Sequence, residues 1–273
     1  MSSQPPRLPT KAYHPRHDGE AHKLTEEETL KVMERVLARA GSIPVVVGVS
    51  HAANNHVEHL SKIAMDKGAA GVMLAPAANL KTDDQVFNYY AAAAKLLGPN
   101  VPICLQDFPQ ATGVYMSTAV INRLIDEFPQ WSCSSTKKCL ACANSPTCAR
   151  GLRRQRRISI LVGNGGLFLP QEMLRGADGA MTGFAYLRCW SRSAISSSKV
   201  AQKKRKICSY LPATAASRIP VWPWPGIAQG NAEAAGRHQV CLRPQPGPVL
   251  NSTDMQELGH LISRQERQLA EIA

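Results

Sequence analysis

The sequence predicts an α/β fold of βα units wrapped around a parallel sheet. Over residues 20–130 and 157–186, short apolar runs alternate with stretches of helical periodicity. An apolar run without polar alternation fits a strand buried on both faces, as in parallel sheets. The alternation repeats every 25–30 residues or so, roughly the length of a βα unit. The remaining windows lack this pattern and carry the charge. Residues 1–18, 131–157 and 187–248 hold 20 of the 32 Lys/Arg and 2 of the 20 Asp/Glu, leaving 12 basic against 18 acidic residues elsewhere. The formal charge of +12 therefore belongs to the unpatterned windows and not to the predicted sheet.

Each element has its own signal. Thr25-Glu-Glu-Glu28 has capping-box spacing, and Leu30, Met33, Leu37 and Ala40 follow at helical intervals up to Gly41. Pro44-Val-Val-Val-Gly-Val-Ser50 reads as a buried strand, Asn55–Lys67 as a helix stopped by Gly68, and Gly71–Pro76 as the next strand. Thr82 and Gln85 open a helix that runs to Leu97. Val101–Phe108 reads as a strand and Ser117–Phe128 as a helix. Ile158–Gly163 is a strand, Pro170–Arg175 a short helix and Gly179–Gly183 a strand. Ser252–Ala273 is an amphipathic helix with Met255, Leu258, Leu261 and Ile262 on one face. This divides the chain into a βα core over 1–186, an irregular basic segment over 187–248 and a C-terminal helix over 249–273.

A chain of 273 residues can bury a substantial core. No stretch approaches about 18 consecutive apolar residues, so no membrane span is expected. The N-terminus shows no apolar run followed by a small-residue cleavage site, and eight Cys then point to free thiols and a cytoplasmic location.

Four segments in order resemble the dihydrodipicolinate synthase/N-acetylneuraminate lyase family: Gly19–Thr25, Pro44–Ser50, Leu105-Gln-Asp-Phe-Pro109 with Thr112-Gly113, and Gly163-Asn-Gly-Gly166 through Met181-Thr-Gly183. The resemblance spans about half of the chain. It implies a (β/α)8 TIM barrel of the class I aldolase type, with ligands at the C-terminal ends of the strands. It also implies a lyase or synthase acting on pyruvate or another 2-oxo acid, with no cofactor. A lysine on the sixth strand would form the Schiff base and a tyrosine ending the fifth would relay protons. Intact relatives are expected to be homo-oligomers.

The chain departs from that pattern. Gln106 stands at the tyrosine position, and Ala111 where an arginine often binds the substrate carboxylate. The family's first strand and helix have no counterpart before Gly19. No lysine lies in a strand context between Gln130 and Ile158; Lys137 and Lys138 are the nearest, in a polar, Cys-rich stretch. The barrel is therefore expected to be incomplete, with the sixth strand and the C-terminal helices scrambled and Trp131–Arg156 irregular. No catalytic residue is intact, and the chain as written is expected to be impaired.

The genetic code suggests an origin for these windows. Permitted codons, read from the last base of the Trp131 codon, allow Val-Met-Leu-Lys-His-Glu, much like the expected sixth strand, with the lysine encoded across Ser134 and Ser135. Similar readings of 228–247 and 14–20 yield a basic helix and a strand. The windows thus read as frame-shifted translations. A packed strand through Ser132–Thr136 would count against this.

The substrate-binding candidates are Gly19, Glu20, Gln106, Thr112, Gly113, Gly163, Asn164 and Gly165. Gly163-Asn-Gly-Gly166 could offer backbone amides to a carboxylate or serve as a tight βα turn. Gln106 can donate and accept hydrogen bonds but cannot relay protons as a phenol does. Cys133, Cys139, Cys142 and Cys148 lack the paired spacing usual for zinc, so no metal is expected. The basic runs Arg150–Arg157 and Lys203–Lys206 lack interleaved aromatics, so nucleic acid is not the expected partner. His51, His56 and His59 read as surface histidines. The alternatives are a non-catalytic, partly folded remnant of the family and a basic zinc- or nucleic-acid-binding protein.

Overall fold

Thr25 opens the first helix through a reciprocal cap. Its hydroxyl accepts from the Glu28 N–H at 3.2 Å, and the Glu28 carboxylate accepts from the Thr25 N–H at 2.8 Å. These bonds favour the ionised carboxylate and hold its pKa below the ordinary value. The computed structural model describes residues 24–136, 157–163, 169–181 and 251–270. In chain order the elements are α1 (Glu26–Ala40), β1 (Val46–Gly48), α2 (Asn54–Asp66), β2 (Gly71–Leu74), α3 (Asp83–Leu97) and β3 (Ile103–Asp107). Then come α4 (Pro109–Thr112), α5 (Thr118–Glu127), β4 (Trp131–Thr136), β5 (Ser159–Val162), α6 (Leu169–Leu174) and β6 (Gly179–Ala180). The last described helix, α7, covers Ser252–Ala270. The Thr82–Gln85 capping box opens α3, and the Ser117 hydroxyl caps α5 by accepting from the Val120 N–H at 3.1 Å.

The six strands form one sheet in sequence order, and every neighbouring pair is parallel. Parallel neighbours need a crossover, which the intervening helices supply. The two faces of the sheet differ. Val45, Val47, Val49, Val72, Leu74, Ile103, Leu105, Trp131 and Ile158 belong to the large core with residues of α2, α3 and α5 such as Val57, Tyr90 and Leu124. On the other face Val46, Met73, Cys104, Cys133, Leu161 and Met181 form a separate, smaller cluster. Tyr90 meets Trp131 edge-on in the large core, with centroids 5.3 Å apart. Gly71 permits β2 to pass close to the chain entering β3: a Cβ there would lie 2.7 Å from the Pro102 carbonyl oxygen.

Two expectations require correction. The irregularity expected over 131–156 does not hold for 131–136. That segment is β4, hydrogen-bonded between β3 and β5, with Trp131, Cys133, Ser134 and Ser135 all buried. The strand that would count against the frame-shift reading is therefore present. Its small Ser, Cys and Thr side chains fit the slot, and a ladder of backbone bonds asks nothing of side-chain polarity. Second, Cys104 and Cys133 are not free thiols but are joined as a disulfide, with Cα atoms 4.6 Å apart. The cause is register. A one-residue irregularity after Ile103 leaves Ser132 without a partner residue and sets Cys133 opposite Cys104. In α7, Leu261 and Ile262 are buried and Met255 is 43% exposed.

Candidate active site at the C-terminal ends of the strands

Strand alternation sorts the side chains around the expected site. Cys104 and Cys133 lie on the inner face, so Gln106 and Ser135, two residues further along each strand, face the same way. The two are register partners across β3 and β4. Gln106 is 1% and Ser135 0% exposed. The Gln106 Oε1 and Ser135 Oγ atoms are buried and find no hydrogen-bond partner among the described residues. Buried polar atoms are ordinarily bonded, so an unsatisfied pair side by side at the strand ends marks a place for a polar ligand or water.

The neighbouring residues build the walls. Thr112 is bonded within its own turn: its hydroxyl donates to the Phe108 carbonyl at 3.1 Å and accepts from the Val114 N–H at 3.2 Å. Gly113 ends α4 in the left-handed region at φ 69°, donating to the Pro109 carbonyl at 2.8 Å. Both residues thus form the turn that carries the chain away from β3. Gly163 is buried directly after β5. Gly19, Glu20, Asn164 and Gly165 lie outside the described residues, as do Lys137 and Lys138. Ala111, at the expected arginine position, is exposed.

Sequence reading missed Ser50 as part of this rim. Its hydroxyl, at the end of β1, accepts from the Ala75 N–H at 2.6 Å and ties the C-terminal ends of β1 and β2 together. Serine closing a buried apolar run was the available signal. Beneath the rim, the Tyr90 hydroxyl donates to the Leu74 carbonyl at 3.3 Å. Burial, with Tyr89 and Asp107 nearby, pushes its phenol well above the usual range, so it stays neutral.

The other candidate groups do not converge here. The rings of His51 and His56 lie 4.3 Å apart, and His56 and His59 6.4 Å. His59 bonds Glu26 at 3.1 Å on the exposed side of α2. Among the described residues no group of three or more His, Cys, Asp or Glu could hold a metal ion. Cys139, Cys142 and Cys148 lie outside the described residues, and Cys133 is in the disulfide. From the basic run 150–157, Arg157 pairs with Asp178, whose carboxylate also accepts from the Ile160 N–H at 2.9 Å. No helix among the described residues is long and apolar enough to cross a membrane.

Comparison with known proteins agrees with this arrangement. The profile of the dihydrodipicolinate synthetase family matches residues 17–206, well over half of the chain. The chain belongs to that family. Dihydrodipicolinate synthase from Rhodopseudomonas palustris superimposes with a TM-score of 0.81 at 31% identity, over 90% of this chain and 83% of the other. The described parallel sheet is accordingly a part of a (β/α)8 barrel. The 4-hydroxy-tetrahydrodipicolinate synthase of Oceanobacillus iheyensis is 32% identical over 108 residues, which are 39% of this chain and 36% of that protein. The match therefore spans little more than a third of that curated relative. At 21% identity and a TM-score of 0.78, covering 93% of this chain and 87% of the other, dihydrodipicolinate synthase from Acinetobacter baumannii, crystallised with pyruvate, shares the fold.

Proposed function

We propose that this member of the dihydrodipicolinate synthetase family has the scaffold of a lyase or synthase for pyruvate or another 2-oxo acid, and that the chain as written binds such an acid without forming an imine. One observation carries the reading: the inner-face residue of β4 beside Gln106 is Ser135, fully buried, and not a lysine. A Schiff base needs a neutral amine that attacks the ketone carbon and loses water. A serine hydroxyl cannot make that C=N bond, and a glutamine amide cannot shuttle the proton. What remains is hydrogen bonding, for which the Gln106 and Ser135 side chains have unused capacity. By the family resemblance, Gly163, Asn164, Gly165, Gly19 and Glu20 are the further substrate-binding candidates. Support comes from the family membership and from a relative crystallised with pyruvate. The same reading makes the protein cytoplasmic and a homo-oligomer.

The test has two parts. Borohydride reduction in the presence of pyruvate should leave the protein mass unchanged; a stoichiometric adduct on any lysine overturns the loss of imine chemistry. Calorimetric titration with pyruvate should give saturable binding that Gln106→Leu weakens by about tenfold, the cost of one good hydrogen bond. Absence of binding overturns the ligand assignment.

A further inference from the structure

We infer that Cys104 and Cys133 form a redox modification site: a dithiol–disulfide couple sealed in the inner layer of the sheet, directly beneath Gln106 and Ser135. The pair bridges adjacent parallel strands with Cα atoms 4.6 Å apart, inside the range a disulfide spans. The residues are 0% and 1% exposed. Their cluster is completed by Val46, Met73, Leu161 and Met181, an apolar setting. Such a setting disfavours a thiolate, and the thiolate is the form that exchanges. The register shift at Ser132 is what brings the two cysteines together.

The chemistry balances with glutathione disulfide as the oxidant. The Cys104 thiol, as thiolate, attacks one glutathione sulfur and releases one glutathione. The Cys133 thiolate then attacks the Cys104 sulfur of the mixed disulfide and releases the second. Two electrons pass from the protein to glutathione, and the two thiol protons end on the two glutathiones. Reduction by glutathione is the same sequence reversed. In either direction an attacking sulfur must reach the inner layer, so exchange requires the sheet to open. The site is therefore slow in the folded protein and fast in the unfolded one. In a reducing compartment a disulfide of this kind belongs to the redox-responsive class. The cross-link lies two residues before Gln106 and Ser135 on each strand, so it sets the spacing of those two side chains.

The experiment uses the full chain and does not depend on any ligand. Protein equilibrated with glutathione disulfide is denatured, capped with N-ethylmaleimide without reductant and digested with trypsin. Residues 96–123 and 124–137 are then separate fragments, the first containing only Cys104 and the second only Cys133. The expected product is the two joined, at their summed mass less two hydrogens. Dithiothreitol should release them at least about tenfold more slowly from folded protein than from protein in guanidinium, because attack needs access to the sulfur. Reduction should lower the melting temperature by roughly 5–10 °C. Capped, unlinked fragments after oxidation, Cys133 joined to a different cysteine, or equal release rates in the two states would each overturn the inference.

Discussion

β3 and β4 are neighbours in one ladder, and they differ in almost everything but backbone. Ile103-Cys-Leu-Gln-Asp107 is read as a strand from its apolar character. Trp131-Ser-Cys-Ser-Ser-Thr136 carries no such signal, yet it pairs with β3 on one side and β5 on the other. The contrast teaches that a central slot in a parallel sheet is defined by the hydrogen-bonding groups of its neighbours, while chemistry is defined by side chains. β4 takes its place between β3 and β5 and presents a buried serine, Ser135, where it meets Gln106.

The largest effect should come from restoring what β4 lacks. Ser135→Lys places an amine beside Gln106 in a desolvated site, where burial lowers a lysine pKa and makes it nucleophilic. Pyruvate with borohydride should then convert the mass spectrum from no adduct to a stoichiometric one mapped to position 135. If the variant is folded by circular dichroism and no adduct forms, the inner-face placement of Ser135 is wrong. Sequencing the coding DNA is the companion measurement: an in-frame Leu-Lys-His-Glu at this point would make the lysine original and the serine an artefact of frame.

Next in size is the anchor of β4. Trp131 is 1% exposed and packs edge-on against Tyr90. Trp131→Ala should cost about 3–5 kcal/mol in urea unfolding. A loss under about 1 kcal/mol, the range of peripheral sites, would mean that β4 is not seated in the sheet.

Smaller effects test the β2–β3 side. Gly71→Ala drives a methyl against the Pro102 carbonyl at the entry to β3, where backbone has little room to give. The expected cost is about 1–3 kcal/mol; a neutral result would show that β2 and β3 are further apart than described. Tyr90→Phe should cost about 1 kcal/mol at neutral pH through its bond to Leu74. It should also flatten the alkaline limb of stability. Burial holds the folded pKa of Tyr90 well above the ordinary tyrosine value of about 10, so the folded state holds the proton longer than the unfolded chain. Stability falls as pH rises past about 10 and the unfolded tyrosine ionises. The phenylalanine variant should lose that part of the slope, read from unfolding midpoints across the alkaline range.

Much of this molecule was legible before any coordinates. Helix caps are local chemistry, so Thr25 and Thr82 announced α1 and α3 within a residue, and the helix read over Ser117–Phe128 is α5. Apolar runs flanked by glycine announced β1, β2, β3 and β5, because a strand buried on both faces must be apolar wherever helices cover it. The family resemblance rested on residues in these same segments. Position along the chain also marked Gln106 as a strand-end residue.

Other features came from tertiary structure alone. That Ser132–Thr136 is a strand follows from β3 and β5 flanking it, and no propensity in Ser, Cys and Thr says so. That Ser135 and Gln106 share a face and a register depends on the one-residue shift after Ile103, since a slip of one residue would turn Ser135 to the other side. The same shift joins Cys104 to Cys133, two residues 29 apart in sequence that no spacing rule connects. For Thr112 and Gly113 the sequence left both a turn and a ligand contact open, and the folded chain shows the hydrogen bonds of the turn. Caps and apolar runs depend on neighbours in sequence and can be read there. Register, pairing and the direction of a side chain depend on which strand lies alongside, and only the folded sheet decides that.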